Sequence, residues 1–118
     1  MSWSGFTSVS LNDFTLEVDG AVPLKNGFFF YGSAQSAVPV GDGIRCAGGT
    51  VGRLRPATLS DATGHNFRAV DFTVHPAGGG GPANILPGST WYFSYWYRDP
   101  GGVTHINLAN GLGVPFGP

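Results

Sequence analysis

Charge is what this sequence has least of. Charged side chains make up 11% of its 118 residues, against roughly 25% in an ordinary globular domain. Lys25 is the single lysine, and the arginines Arg45, Arg53, Arg55, Arg68 and Arg98 are spread along the chain. A nucleic-acid partner needs a concentrated cationic footprint that displaces counterions. Arg45, Arg53 and Arg55 are the nearest approach to one, and the net charge is −1, which argues against that partner. Cysteine is almost absent too. Cys46 alone cannot close an internal disulfide, nor hold zinc without several histidine or carboxylate partners. It reads as a small buried hydrophobe. A reactive thiol would need a base or cation beside it, and Arg45, its chain neighbour, points to the opposite face of an extended strand. No run approaches the ~20 apolar residues of a membrane span. The opening Met1-Ser2-Trp3-Ser4-Gly5 lacks the basic and apolar regions of a signal peptide; it reads either as a natural start or, the favoured alternative, as the start of a domain excised from a longer chain.

What is present is enough for one core. Hydrophobic residues are 42% and aromatics 14%, and the length suits a single domain over residues 1–118. Twenty glycines and nine prolines cut the chain into short segments, none of which sustains helical periodicity for three turns. The segments between the breaks read as strands. Residues 6–11 are a short opening strand. Phe14, Leu16 and Val18 alternate with Thr15, Glu17 and Asp19 in a half-buried strand ending at Gly20. Residues 27–31 are a continuous aromatic run, as expected of a central strand covered on both faces. Residues 44–54 are apolar but interrupted by Gly48, Gly49 and Gly52, the mark of a bulged or bent strand. Residues 66–74 place Val70, Phe72 and Val74 on one face.

Residues 90–98 are the richest strand. The turn Asp99-Pro100-Gly101-Gly102 leads from them to a return arm over 103–108, and residues 111–116 close the chain. Residues 75–89, with glycines at 78–81, form a loop that serves either a function or flexible connection. Seven or eight short antiparallel strands predict an all-β domain, a β-sandwich or jelly roll.

Asn12-Asp13-Phe14-Thr15-Leu16, Gly27-Phe28-Phe29-Phe30-Tyr31-Gly32 and Gly41-Asp42-Gly43-Ile44-Arg45-Cys46 carry a resemblance to a known module. It continues through Gly48-Gly49, Arg53-Leu54, Pro87-Gly88-Ser89-Thr90-Trp91-Tyr92-Phe93, Trp96-Tyr97-Arg98-Asp99-Pro100 and Asn107-Leu108. Over most of its length the chain resembles a glycine-rich β-sandwich module of uncharacterised function in secreted multidomain proteins of planctomycete- and myxobacteria-like bacteria, often C-terminal. The resemblance implies an extracellular setting and an accessory role beside other domains. It brings no catalytic residues. The cysteine-bearing C-terminal tail of some members is missing here, with Gly117 near its place.

The strand over 90–98 carries the most suggestive pattern. Trp91, Phe93, Tyr95 and Tyr97 share one face and Tyr92, Ser94, Trp96 and Arg98 the other. One face must line the core. The other then carries Tyr92 and Trp96, each roughly 7 Å from Ser94 along the strand, with Arg98 beyond. Such a platform stacks on sugar rings if it is bare, and is ordinary core if it is covered. Trp3 either covers part of that face or anchors a neighbouring domain.

The histidines His65, His75 and His105 all point away from the core. His65 and His75 are too far apart on one strand to share an ion, so no transition metal is expected. Glu17 and Asp19 face the same way at a spacing compatible with glycoside hydrolysis, a pattern that solvated strand faces also produce. Calcium suits loop oxygens, with Asp42 or Asp61 as its candidates, yet Gly41-Asp42-Gly43 and Ser60-Asp61-Ala62-Thr63-Gly64 both read as turns. Gly-x-Ser-x-Gly is absent, and the glycines at 78–81 precede Pro82 instead of a phosphate-binding Lys-Ser/Thr. The expected function is a non-catalytic accessory module of an extracellular protein, binding carbohydrate, a polymer surface or a neighbouring protein through Tyr92, Ser94, Trp96 and Arg98. A self-assembling structural subunit ranks second, because open strand edges recruit other chains, and a small hydrolase or metalloenzyme third.

Overall fold

The computed structural model of the chain describes residues 1–41, 43–54, 57–103, 106–109 and 111–118. Among them there is no helix, and therefore none long and apolar enough to cross a membrane. The chain folds as an all-β sandwich of nine described strands: β1 (Ser2–Gly5), β2 (Phe14–Val18), β3 (Asn26–Val40), β4 (Gly43–Arg53), β5 (Thr58–Leu59), β6 (Asn66–Val70), β7 (Thr90–Arg98), β8 (Ile106–Leu108) and β9 (Leu112–Pro115). The smaller sheet has the order β1-β2-β6. The larger has the order β4-β3-β7-β8, with β5 also pairing β3 and β9 also pairing β7. Every strand pairing is antiparallel.

Alternation decides which residues meet between the sheets. Phe14, Leu16, Val18 and Val70 come from the smaller sheet, and Phe29, Tyr31, Trp91, Phe93, Tyr95 and Val114 from the larger; together they form one buried cluster. The rings interlock edge to face and tilted, as their quadrupoles favour: Phe14 with Phe93 at 5.8 Å, Phe14 with Phe116 at 5.2 Å and Tyr31 with Trp91 at 5.3 Å. Buried polar groups in this layer are paired, as they must be. Tyr31 donates through Oη to the Ala83 carbonyl at 2.7 Å, and Asn66 donates to Tyr95 Oη at 2.9 Å.

The loop at 71–89 has no strand but is no loose connector. Its Phe72, Ala77, Ala83 and Ile85 belong to the buried cluster, and Ile85 N–H bonds the Ala77 carbonyl at 2.8 Å. Its glycines are needed for backbone shape: residues 79–81 all have positive φ, from 76° to 136°, which side-chain-bearing residues rarely adopt. Strand β7 has the bounds expected from its sequence. Several other expectations shift. The opening strand is at Ser2–Gly5 and not at 6–11. Val74 turns outward, because β6 stops at Val70 and the chain leaves the sheet. Trp3 does not reach the outer face of β7; it stacks on Phe14 at 5.6 Å, at the rim of the core on the opposite sheet.

A candidate binding face of aromatic rings and arginines

Pairing with the aromatic run of β3 settles what surrounds the second face of β7. The register sets Phe28 opposite Trp96, Phe30 opposite Ser94 and Gly32 opposite Tyr92. On the far side of β7, β8 sets Leu108 opposite Trp96 and Ile106 opposite Arg98. On the far side of β3, Arg53 lies opposite Phe30. Directly paired residues share a face, so these side chains form a continuous outer surface. This face is partly covered and partly open.

The cover is the long β3–β4 hairpin. Its pairing slips twice, between Gly32 and Ala34 and again between Gln35 and Val38, and such bulges bend a ribbon. The bent hairpin returns across the outer face toward β8. A Cβ on Gly43 would fall 2.6 Å from Asn107 Oδ1, and one on Gly111 would fall 2.6 Å from Cys46 Cβ. Ala47 of β4 is thereby buried in a second, smaller cluster with Phe30 and Leu108, against which Phe28, Val40, Tyr92 and Trp96 pack.

The four residues expected on this face therefore have different fates. Ser94 is fully buried, with Oγ donating to the Ala109 carbonyl at 3.2 Å. Tyr92 and Trp96 are half-buried and Arg98 is exposed. Tyr92 is separated from Trp96 by the covered patch, so the two do not form one platform. The partner of Trp96 is Phe28, stacked at 5.2 Å between centroids and 23° between planes. A guanidinium caps each ring, Arg53 at 5.8 Å over Phe28 and Arg98 at 5.9 Å over Trp96, within the ~6 Å reach of a cation–π contact.

Between the rings and the hairpin lies a cavity of about 200 Å³, to which Phe28, Trp96, Leu108, Arg45 and Arg53 contribute. Val51 and Arg53 also line a larger cleft of about 620 Å³, which runs to His75, Pro76 and Pro82 of the glycine loop. Arg45 and Arg53, separate in sequence, are thus brought to one cavity, while Arg55 lies outside the described residues. A third hollow, of about 530 Å³, lies on the other side of the hairpin by Tyr92 and Cys46. Cys46 is a free thiol, half-buried, donating to the Ile44 carbonyl at 3.6 Å.

The remaining candidates lie elsewhere. Glu17 and Asp19 both turn to His65 on the outside of the smaller sheet, with Asp19 Oδ1 2.7 Å from Nδ1 and Glu17 Oε1 3.7 Å from Nε2. A carboxylate pair engaged on an imidazole is a surface charge cluster rather than the two sides of a sugar cleft. The hydrogen bond to Asp19, and then the charges of Asp19, Asp61 and Glu17, hold the imidazolium above its usual pKa of 6.5. A raised folded-state pKa means stability present below about pH 6.5 and lost as pH rises through the folded value. In melting experiments, the advantage of the native chain over Asp19→Asn should be largest near pH 6 and shrink as pH rises through the raised pKa of His65. An advantage independent of pH would show that the pair contributes nothing through charge.

Asp61 Oδ1 accepts from Thr63 N at 2.8 Å, Thr63 Oγ1 at 2.7 Å and His65 N at 3.0 Å, which builds a turn and lowers its pKa, the Thr63 hydroxyl bond foremost. Asp42 and His105 lie outside the described residues, and His75 is exposed on the loop. Among the described residues no group of three or more His, Cys, Asp or Glu side chains is arranged to hold a metal.

Sequence reasoning put Tyr92, Ser94, Trp96 and Arg98 on one face but missed Phe28, Arg45 and Arg53. Phe28 was legible only as part of an aromatic run, because its pairing with Trp96 depends on a register between strands far apart in sequence. Comparison with protein families, with curated proteins and with solved structures finds no match for this chain.

Proposed function

We propose that this chain is a non-catalytic accessory module that binds carbohydrate on the outer face of its larger sheet. The observation that carries the reading is the Phe28–Trp96 pair, stacked, half-buried and capped by Arg53 and Arg98. The uncovered edges of the two half-buried rings give apolar surface for the C–H groups of a sugar, and the guanidinium N–H groups over the rings reach its oxygens. The rigid sheet beneath holds the rings without further ordering cost, as a binding site requires. An extracellular setting within a larger exported protein belongs to the same proposal and rests on the low charge and on the resemblance to secreted glycine-rich modules.

Affinity electrophoresis through gels holding neutral and acidic polysaccharides tests it. Retardation is expected on at least one polymer. Trp96→Ala should weaken that binding by roughly thirtyfold, the effect of about 2 kcal/mol at an aromatic hot spot, when compared at a temperature where circular dichroism shows the variant folded. Free migration through every gel would remove the reading. Self-association is the second reading, supported by edge strand β1, whose four residues are all exposed. A strict monomer in sedimentation over a wide concentration range would dispose of it.

A further inference from the structure

Arg45 lines the outer-face cavity and carries an unpaired donor. Arg45 Nε is buried and has no hydrogen-bond partner among the described residues. A buried donor without a partner is costly, more so on a charged group, and asks for an acceptor. The cavity lining supplies none of opposite charge: it includes Arg45 and Arg53, and no carboxylate among the described residues. Arg98 adds a third guanidinium beside it, over Trp96. In a chain with six basic residues in all, three are gathered around one pair of rings.

Resting on the carbohydrate reading above, we propose that this cavity takes a carboxylate-bearing sugar, a uronic acid residue of an acidic polysaccharide, with its carboxylate on Arg45. Guanidinium and carboxylate match as planar forks, and a pair formed out of water is stronger than an exposed one. Size agrees with a single ring. At about 200 Å³ the cavity is below the ~300–1,000 Å³ of pockets that enclose drug-sized ligands. The ring fills the cavity beside the edges of Phe28 and Trp96, and the chain continues past Arg53 into the 620 Å³ cleft that shares Val51 and Arg53 with the cavity. A neutral sugar would leave the Arg45 charge unanswered.

The test compares polygalacturonate, alginate and hyaluronan, each with its methyl ester, which removes the charge and keeps the polymer. At least one acid form should bind tenfold or more tightly than its ester. Arg45→Gln should reduce that preference to about twofold, while Lys25→Gln, which removes the same charge from an exposed site outside the cavity lining, should leave it intact. If Arg45→Gln does not fold, Arg53→Gln should show the same loss.

Equal binding of acid and ester, or binding to neutral polymers alone, overturns the uronate assignment and leaves the carbohydrate reading standing. An equal loss in Lys25→Gln overturns it as well, since the effect is then net charge alone. Dextran sulfate displacing the acid polymers with equal affinity would replace carboxylate recognition with general anion binding. Absence of binding to any polymer, neutral or acidic, removes both proposals together.

Discussion

Phe93→Ala is expected to cost about 3–5 kcal/mol, the range for truncating a buried aromatic. Phe93 is fully buried on the inner face of β7, with the rings of Phe14, Tyr31 and Phe116 at 5.8, 5.4 and 6.0 Å. Those three neighbours come from the smaller sheet, from β3 and from the C-terminal end, so one ring links three parts of the core. The cavity left behind cannot close without moving both sheets, and this puts the cost toward the upper end of the range. Domains of this size have roughly 5–15 kcal/mol of stability in total, so the variant should be close to unfolding at room temperature. Urea denaturation measures it as a large fall in midpoint at similar slope. A cost below about 1 kcal/mol would mean that Phe93 does not hold the sheets together.

Gly32→Ala should have the second largest effect, and it links fold to site. A Cβ at Gly32 would fall 2.2 Å from the Gly48 carbonyl oxygen and 2.8 Å from Gly48 N. Those contacts are with backbone and cannot be relieved by turning a side chain. Strand β4 must move away from β3 at the start of the bend, costing at least the ~1–3 kcal/mol of ordinary overpacking. The strain falls on the hairpin rather than on the inner core. Ala47 should therefore lose its place against Phe30 and Leu108, and the outer-face cavity should open. Hydrogen exchange can separate the two regions: protection in the hairpin should fall well before protection at the centre of β7. Uniform loss along the chain would show that the hairpin is not a separate cover.

The fold was legible where the pattern is local. Alternation at Phe14, Leu16 and Val18 and along 90–98 identified β2 and β7, and parity alone sorted Trp91, Phe93 and Tyr95 from Tyr92, Ser94 and Trp96. Glycines at 48, 49 and 52 marked β4 as bent. Sequence could not say where the bend leads. Covering Ser94 with the hairpin, bringing Arg45 and Arg53 to one cavity and setting Phe28 beside Trp96 all depend on pairings between distant segments. The expected platform of Tyr92 and Trp96 thus becomes Phe28 and Trp96, with Tyr92 on the other side of the covered patch. The loop at 75–89 offered no periodicity to read, and its order comes from burying Ala77, Ala83 and Ile85 in the core.

The binding reading places the ligand at one of three tryptophans, and their indole N–H resonances in ¹⁵N-labelled protein can be followed while an oligosaccharide of a retained polymer is added. Trp96 should shift progressively and saturably. Trp91, buried and bonded to Ser89 Oγ at 3.0 Å, and Trp3, on the opposite sheet, should stay where they are. Movement of Trp3 with Trp96 unchanged would contradict the account, because the ligand would then lie on the other side of the sandwich.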